Sequence, residues 1–122
     1  MEENTNINEE IIAVAMEIIM NAGDARVHIT EALQEVAKGN IDLANEKLQL
    51  AHKEITLAHG AQTGVLQKEA NGQSTGYSVL FAHAQDTLMT INSELNMAKQ
   101  LIKVFKSYED RISILERKME GM

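Results

Sequence analysis

The chain has no cysteine, no proline and no tryptophan, and only two phenylalanines and two tyrosines in 122 residues. Without cysteine there is no disulfide framework and no thiol nucleophile, which fits a reducing compartment. Without proline a sheet-rich fold is disfavoured, since such folds usually place several prolines in turns. A core short of aromatics must come from Ala, Ile, Leu, Val and Met, which suits closely packed helices better than a sandwich of β-branched and aromatic strands. Positive charge is also scarce. Eleven Lys and Arg stand against 18 Asp and Glu, a net charge of −7, which argues against nucleic acid or an anionic membrane as partner. No run approaches the roughly 18 to 20 uncharged apolar residues of a membrane span, and no basic segment precedes a short apolar one. The expectation is a single cytoplasmic domain over residues 1–122 with no direct membrane insertion and 44% apolar residues for a core.

What the chain does have is helical periodicity. Residues 1–7 read as a polar, frayed end. From Asn8, a candidate N-cap, the positions Ile11, Ala15, Ile18, Ala22, Ala25, Ile29, Ala32 and Val36 alternate steps of four and three without a polar residue. Gly23 lies inside this helix, where glycine costs about 1 kcal/mol against alanine, and it reads as a site of close backbone approach. Lys38-Gly39-Asn40 supplies a C′ glycine and the N-cap of an antiparallel second helix, whose seam is Ala44, Leu48, Ala51, Ile55, Ala58, Gln62 and Val65, ending near Ala70. A loop rich in turn formers follows, with Ser74 or Thr75 as the cap of a third helix running to about Lys118. At 1.5 Å per residue that helix is a rod of roughly 60 Å, longer than its partners can cover.

The third helix carries two apolar stripes. Phe81, Ala84, Leu88, Ile91, Leu95, Ala98, Ile102 and Phe105 form a core seam, which Tyr108, Ile112, Leu115 and Met119 continue after a one-residue phase slip. Roughly opposite run Val79, His83, Asp86, Thr90, Met97, Leu101, Val104 and Tyr108, with one gap near Ser93 and Glu94. A small bundle buries one face of each helix against its own chain, so a second apolar face implies cover from outside the protomer. The pattern therefore reads as an oligomer.

The strong catalytic signatures are missing: there is no Gly-rich phosphate loop, no G-x-S-x-G and no H-E-x-x-H. Ala25, Gln49, Thr56 and Leu80 stand three residues before the four histidines, so no Glu-x-x-His exists for a di-iron bundle. His83 remains. A neutral imidazole has one unprotonated nitrogen that can accept a phosphoryl group and release it. Asp86, at i+3, shares its face. If that face meets its copies on a symmetry axis, the converging carboxylates must share protons or bind a cation, and hard oxygens suggest magnesium. Antiparallel pairing of the second and third helices puts His59, Gln62 and Thr63 at about the height of His83 and Asp86, so the two polar clusters can face one another. His59, Gln62 and Gln85 would then orient the imidazole or solvate its phosphoryl oxygens, ordinary inter-helix contacts being the alternative. His28 and His52 read as surface or packing residues. An oligomeric scaffold without chemistry, its polar cluster setting register, fits the same pattern. So does a histidine phosphotransfer domain of two-component signalling, although such domains usually carry lysine where this chain has Asp86.

Three segments together resemble one family. H-A-Q-D-T-L-M-T from His83 to Thr90 resembles the H-x-Q-D-H-L-M motif of the lactose/cellobiose-class enzyme IIA components of the bacterial sugar phosphotransferase system. N-A-G-D-A-R from Asn21 resembles that family's N/S-G-x-A-R segment, and A-H-G-A-Q-T from Ala58 its A-H-x-x-Q-T segment. The resemblance covers roughly residues 8 to 108. It implies an all-α fold, an antiparallel three-helix protomer assembling as a homotrimer of nine helices. It implies His83 as the phosphorylated histidine and Asp86 as the ligand of one divalent metal ion per trimer. It implies the histidine phosphocarrier protein HPr as donor, a cysteine of the cognate IIB component as acceptor, and a IIC permease as the indirect beneficiary. Thr87 stands where the family usually has a second histidine, and the segment beyond Tyr108 exceeds the usual family ending.

Overall fold

A computed structural model describes residues 2–73 and 76–122, with side chains from residue 9 onward. It contains three helices, α1 (Glu2–Ala37), α2 (Ile41–Ala70) and α3 (Val79–Glu120), and no strand among the described residues. None of the described helices is long and apolar enough to cross a membrane. Helix α1 begins at Glu2, so Asn8 lies within it instead of capping it. The expected caps Ser74 and Thr75 lie outside the described residues. The cap of α3 is Ser78, whose hydroxyl accepts the Phe81 N–H at 3.1 Å and satisfies one of the orphan donors of the first turn.

The α1–α2 turn is held by its own chemistry. Gly39 has φ +83°, the left-handed conformation a C′ position requires. Asn40 occupies the N-cap position of α2, but its side chain makes no cap bond; its amide donates to Glu35 Oε2 at 2.9 Å, while Lys38 pairs with Glu35 Oε1. That amide, helped by Lys38, holds the Glu35 carboxyl below the ordinary glutamate range. Helices α1 and α2 run antiparallel, as the ion pairs Glu10–Lys68 and Glu31–Lys47 show. Helices α1 and α3 run parallel with an offset of 68 residues, set by Arg26 and Glu94.

The core is a single apolar cluster along the three seams, with no buried polar or charged side chain among the described residues. Ile18, Leu88, Ile91 and Leu95 are its largest fully buried members. Nine of its positions are alanines, and small side chains let helix axes approach at the short end of the usual 8–10 Å. The seams match those read from the pattern with these exceptions. Val36 and Gln62 are half-buried, and Phe105 is exposed. The expected continuation of the α3 core seam through Tyr108, Ile112, Leu115 and Met119 is exposed as well, because the bundle ends before it. Burial on α3 stops at Ile102, because the α1–α2 turn lies beside Lys106 and Glu109 and none of the described residues packs beyond it.

Gly23 departs from expectation. A Cβ built there would meet nothing within 4 Å, so no helix of the same protomer approaches it closely.

Candidate functional site

Two grooves flank α3. On one side Arg26, Ile29, Thr30 and Leu33 of α1 face Thr90, Glu94, Met97 and Leu101. On the other, Asn45, Leu48, Gln49 and His52 of α2 face Lys99, Ile102, Lys103 and Lys106. These contacts settle which way the candidate residues look, because positions seven apart share a helix face. His83 is seven before Thr90 and lies on the α1 flank. His59 is seven after His52 and lies on the α2–α3 flank. The two clusters expected to face one another therefore look into different grooves of the protomer, and no hydrogen bond joins them. Gln85, two residues from His83, projects to the other side of α3.

His83 and Asp86 are both exposed, one turn apart on a face that also carries Val79, Met97 and Leu101, all exposed. Among the described residues neither side chain makes a hydrogen bond or ion pair within the protomer, and no group of three His, Asp or Glu side chains within the chain could hold a metal ion. By the 68-residue offset His83 stands level with Ala15 on α1, where Ile12 and Met16 are exposed. Its imidazole thus sits on the rim of an apolar surface that its own chain leaves open. Thr87 turns its hydroxyl back to the His83 carbonyl, donating at 2.8 Å, so it does not replace an imidazole's reach toward a ligand.

His59, Gln62 and Gln85 are half-buried. His28 is half-buried with no partner for Nδ1, and exposed His52 Nδ1 stands 3.3 Å from Lys99 Nζ. Both match the surface or packing role.

One contact escaped the sequence reading. Arg26 grips Glu94 with two bonds, Nε to Oε2 at 3.0 Å and Nη2 to Oε1 at 2.8 Å, bracing α1 against α3 two turns beyond Asp86. Hydrogen bonding to Glu94 raises the Arg26 pKa above its ordinary value. The signal was available: Arg26 ends one of the three recognisable segments, and Glu94 is the charged residue in the gap of the second stripe.

Comparisons with other proteins give the chain a family and its fold a precedent. The family described as "PTS system, Lactose/Cellobiose specific IIA subunit" matches residues 13–106. The lactose-specific EIIA component of Lactococcus lactis is 38% identical over 98 residues, 80% of this chain and 93% of that protein. Its counterpart from Streptococcus mutans is 41% identical, covering 80% of this chain and 94% of that protein. Among solved structures, PtcA from S. mutans superposes with a TM-score of 0.79 at 39% identity, covering 80% of this chain and 96% of that one. The cellobiose-specific enzyme IIA of Bacillus anthracis gives 0.76 at 37% identity, covering 80% and 90%.

Proposed function

Because the chain belongs to the lactose/cellobiose-specific IIA family of the sugar phosphotransferase system, we propose that it is a cytoplasmic, stoichiometric phosphoryl carrier whose acceptor is His83. The observation that carries this reading is the exposed, unengaged imidazole at the edge of an uncovered apolar face. A docking protein can reach it, and no partner among the described residues competes for its ring nitrogens.

The unprotonated nitrogen of His83 attacks the phosphorus of a phosphohistidine on HPr. The new N–P bond forms as the donor's breaks, and the donor imidazole leaves with the electron pair. In the second step a thiolate of the IIB component attacks the same phosphorus, forming an S–P bond and returning the His83 ring to its starting state. The IIC permease benefits downstream, where the sugar is taken up and phosphorylated. Gln85 looks away from His83 and His59 lies on another flank, so within one protomer the His83 imidazole meets its donor and acceptor without them.

The assembly in this reading is a homotrimer closed along the second stripe of α3. Asp86 is an exposed carboxylate that pairs with no cation among the described residues, on a stripe whose other members, His83 and Thr90 apart, are mostly apolar, and its oxygens suit a hard divalent ion such as magnesium. The Asp86 side chains of three copies would hold that ion, which would neutralise converging charge and take no part in bond making.

Incubation with phosphoenolpyruvate, enzyme I and HPr should place acid-labile, base-stable phosphate on the wild-type chain and none on His83→Ala. Labelling that persists in His83→Ala would overturn the assignment.

A further inference from the structure

The family match ends at residue 106, yet α3 continues as one helix to Glu120. Beyond Glu109, which still lies beside the α1–α2 turn, the helix runs clear of its own bundle, and every residue from Lys103 onward is exposed. This tail is not polar, as a solvated extension would be. Tyr108, Ile112, Leu115 and Met119 are between 53% and 72% exposed on one stripe.

The sequence read these four as a continuation of the core seam, but with burial ended at Ile102 they fall in line with Met97 and Leu101 and prolong the second stripe. From Asp86 the steps are four, three and four to Met97, the same again to Tyr108, and the same again to Met119. An eleven-residue period is close to a whole number of helical turns, so all three repeats keep to one face of a straight rod. Whatever covers Met97 and Leu101 on the bundle meets Ile112 and Leu115 beyond it without a change of direction.

The charges beside the stripe specify the occupant. Glu109 and Glu116 stand three before and four after Ile112, on one flank. Arg111 and Lys118 stand four before and three after Leu115, on the other. None of the four is in an ion pair within the chain, the tail's ion pair among the described residues being Lys106–Asp110, and Arg111 lies over the Tyr108 ring at 5.8 Å. Parallel copies around a common axis bring the acidic flank of one against the basic flank of the next, and Arg111 meets a Glu116 five residues on, the offset of interhelical pairs in parallel coiled coils. An antiparallel pair would set acid against acid and base against base.

We propose that residues 108–120 form a parallel, in-register coiled coil with copies of the same chain, clamping the assembly beyond the bundle by the Glu109/Glu116 and Arg111/Lys118 flanks. The pairing is independent of any chemistry at His83, and its test reads mass rather than phosphate.

Sedimentation equilibrium on the full chain tests it. E109K/E116K and R111E/K118E should each weaken self-association at least about tenfold, and the fourfold swap should restore it to within about threefold of wild type. All of these positions are exposed, so the fold is retained, as far-UV circular dichroism checks. In this cysteine-free chain Leu115→Cys should cross-link copies to one another under mild oxidation. Unchanged association in both single-flank reversals, failure of the fourfold swap to restore it, or no cross-link at position 115 would overturn the proposal.

Discussion

The two grooves beside α3 are lined by the same helix and could hardly differ more. Lys99, Lys103 and Lys106 all line the α2 side, in a chain with only 11 basic residues. The α1 side carries Ile29, Leu33, Met97 and Leu101, and its one cation, Arg26, is already bound to Glu94. Lysine side chains keep their charge in water and tolerate exposure. An open apolar stripe running the length of a helix does not, and it marks a contact. The contrast teaches that α3 has a charged flank and an apolar flank that its own chain leaves open, and that His83 lies at the end of the apolar one.

The sharpest way to break that contrast is to put the same charge on each side. Leu101→Asp should raise the dissociation constant of the oligomer about a hundredfold or more, because a carboxylate without a partner would be buried. Lys103→Asp should change it less than about threefold. Equal effects would erase the distinction between the grooves.

Asp86→Leu should abolish tight binding of a divalent cation, read by calorimetric titration, with the oligomer intact and its stability equal or higher by about 1–4 kcal/mol, as when apolar groups replace converging charge. Dissociation on that substitution would mean that the carboxylate holds the copies together. Gly23→Ala asks whether cover of the apolar flank extends to α1. The protomer leaves room for the methyl group, so the helix should gain about 0.5–1 kcal/mol in urea denaturation. A loss would place a copy's backbone against Gly23.

The smallest effect is away from α3. The hydrogen bond and charge of Lys47 hold the Glu31 carboxyl below its ordinary pKa of 4.5. A carboxyl depressed in the folded state adds stability that is present above the unfolded value and lost as pH falls through the folded one. Thermal unfolding of Glu31→Gln should therefore converge on wild type in acid and fall slightly below it at neutral pH. A difference that widens toward acid would contradict the pairing.

The fold was legible because its seams are almost wholly apolar. Steps of three and four through Ile18, Ala22 and Ala25, or Leu88, Ile91 and Leu95, each mark a face to bury. Periodicity also showed that α3 has two such faces. It could not show which neighbour flanks each face. His59 and His83 share a height along the bundle, yet only the rotation of α2 and α3 about their axes decides whether they meet, and that rotation depends on packing summed over the whole core. Arg26 and Glu94 each stood out in the sequence, but their pairing across 68 residues depends on the same rotation and was not legible from local pattern. Phe105 misled because the core seam runs through it in sequence, while the bundle ends before it in space.

Everything proposed for His83 requires copies of this chain along the exposed stripe of α3. Sedimentation equilibrium of the full-length protein at micromolar concentration measures that directly. The expected result is a dominant species of three times the 13.5 kDa chain mass; a single species at 13.5 kDa would contradict the account.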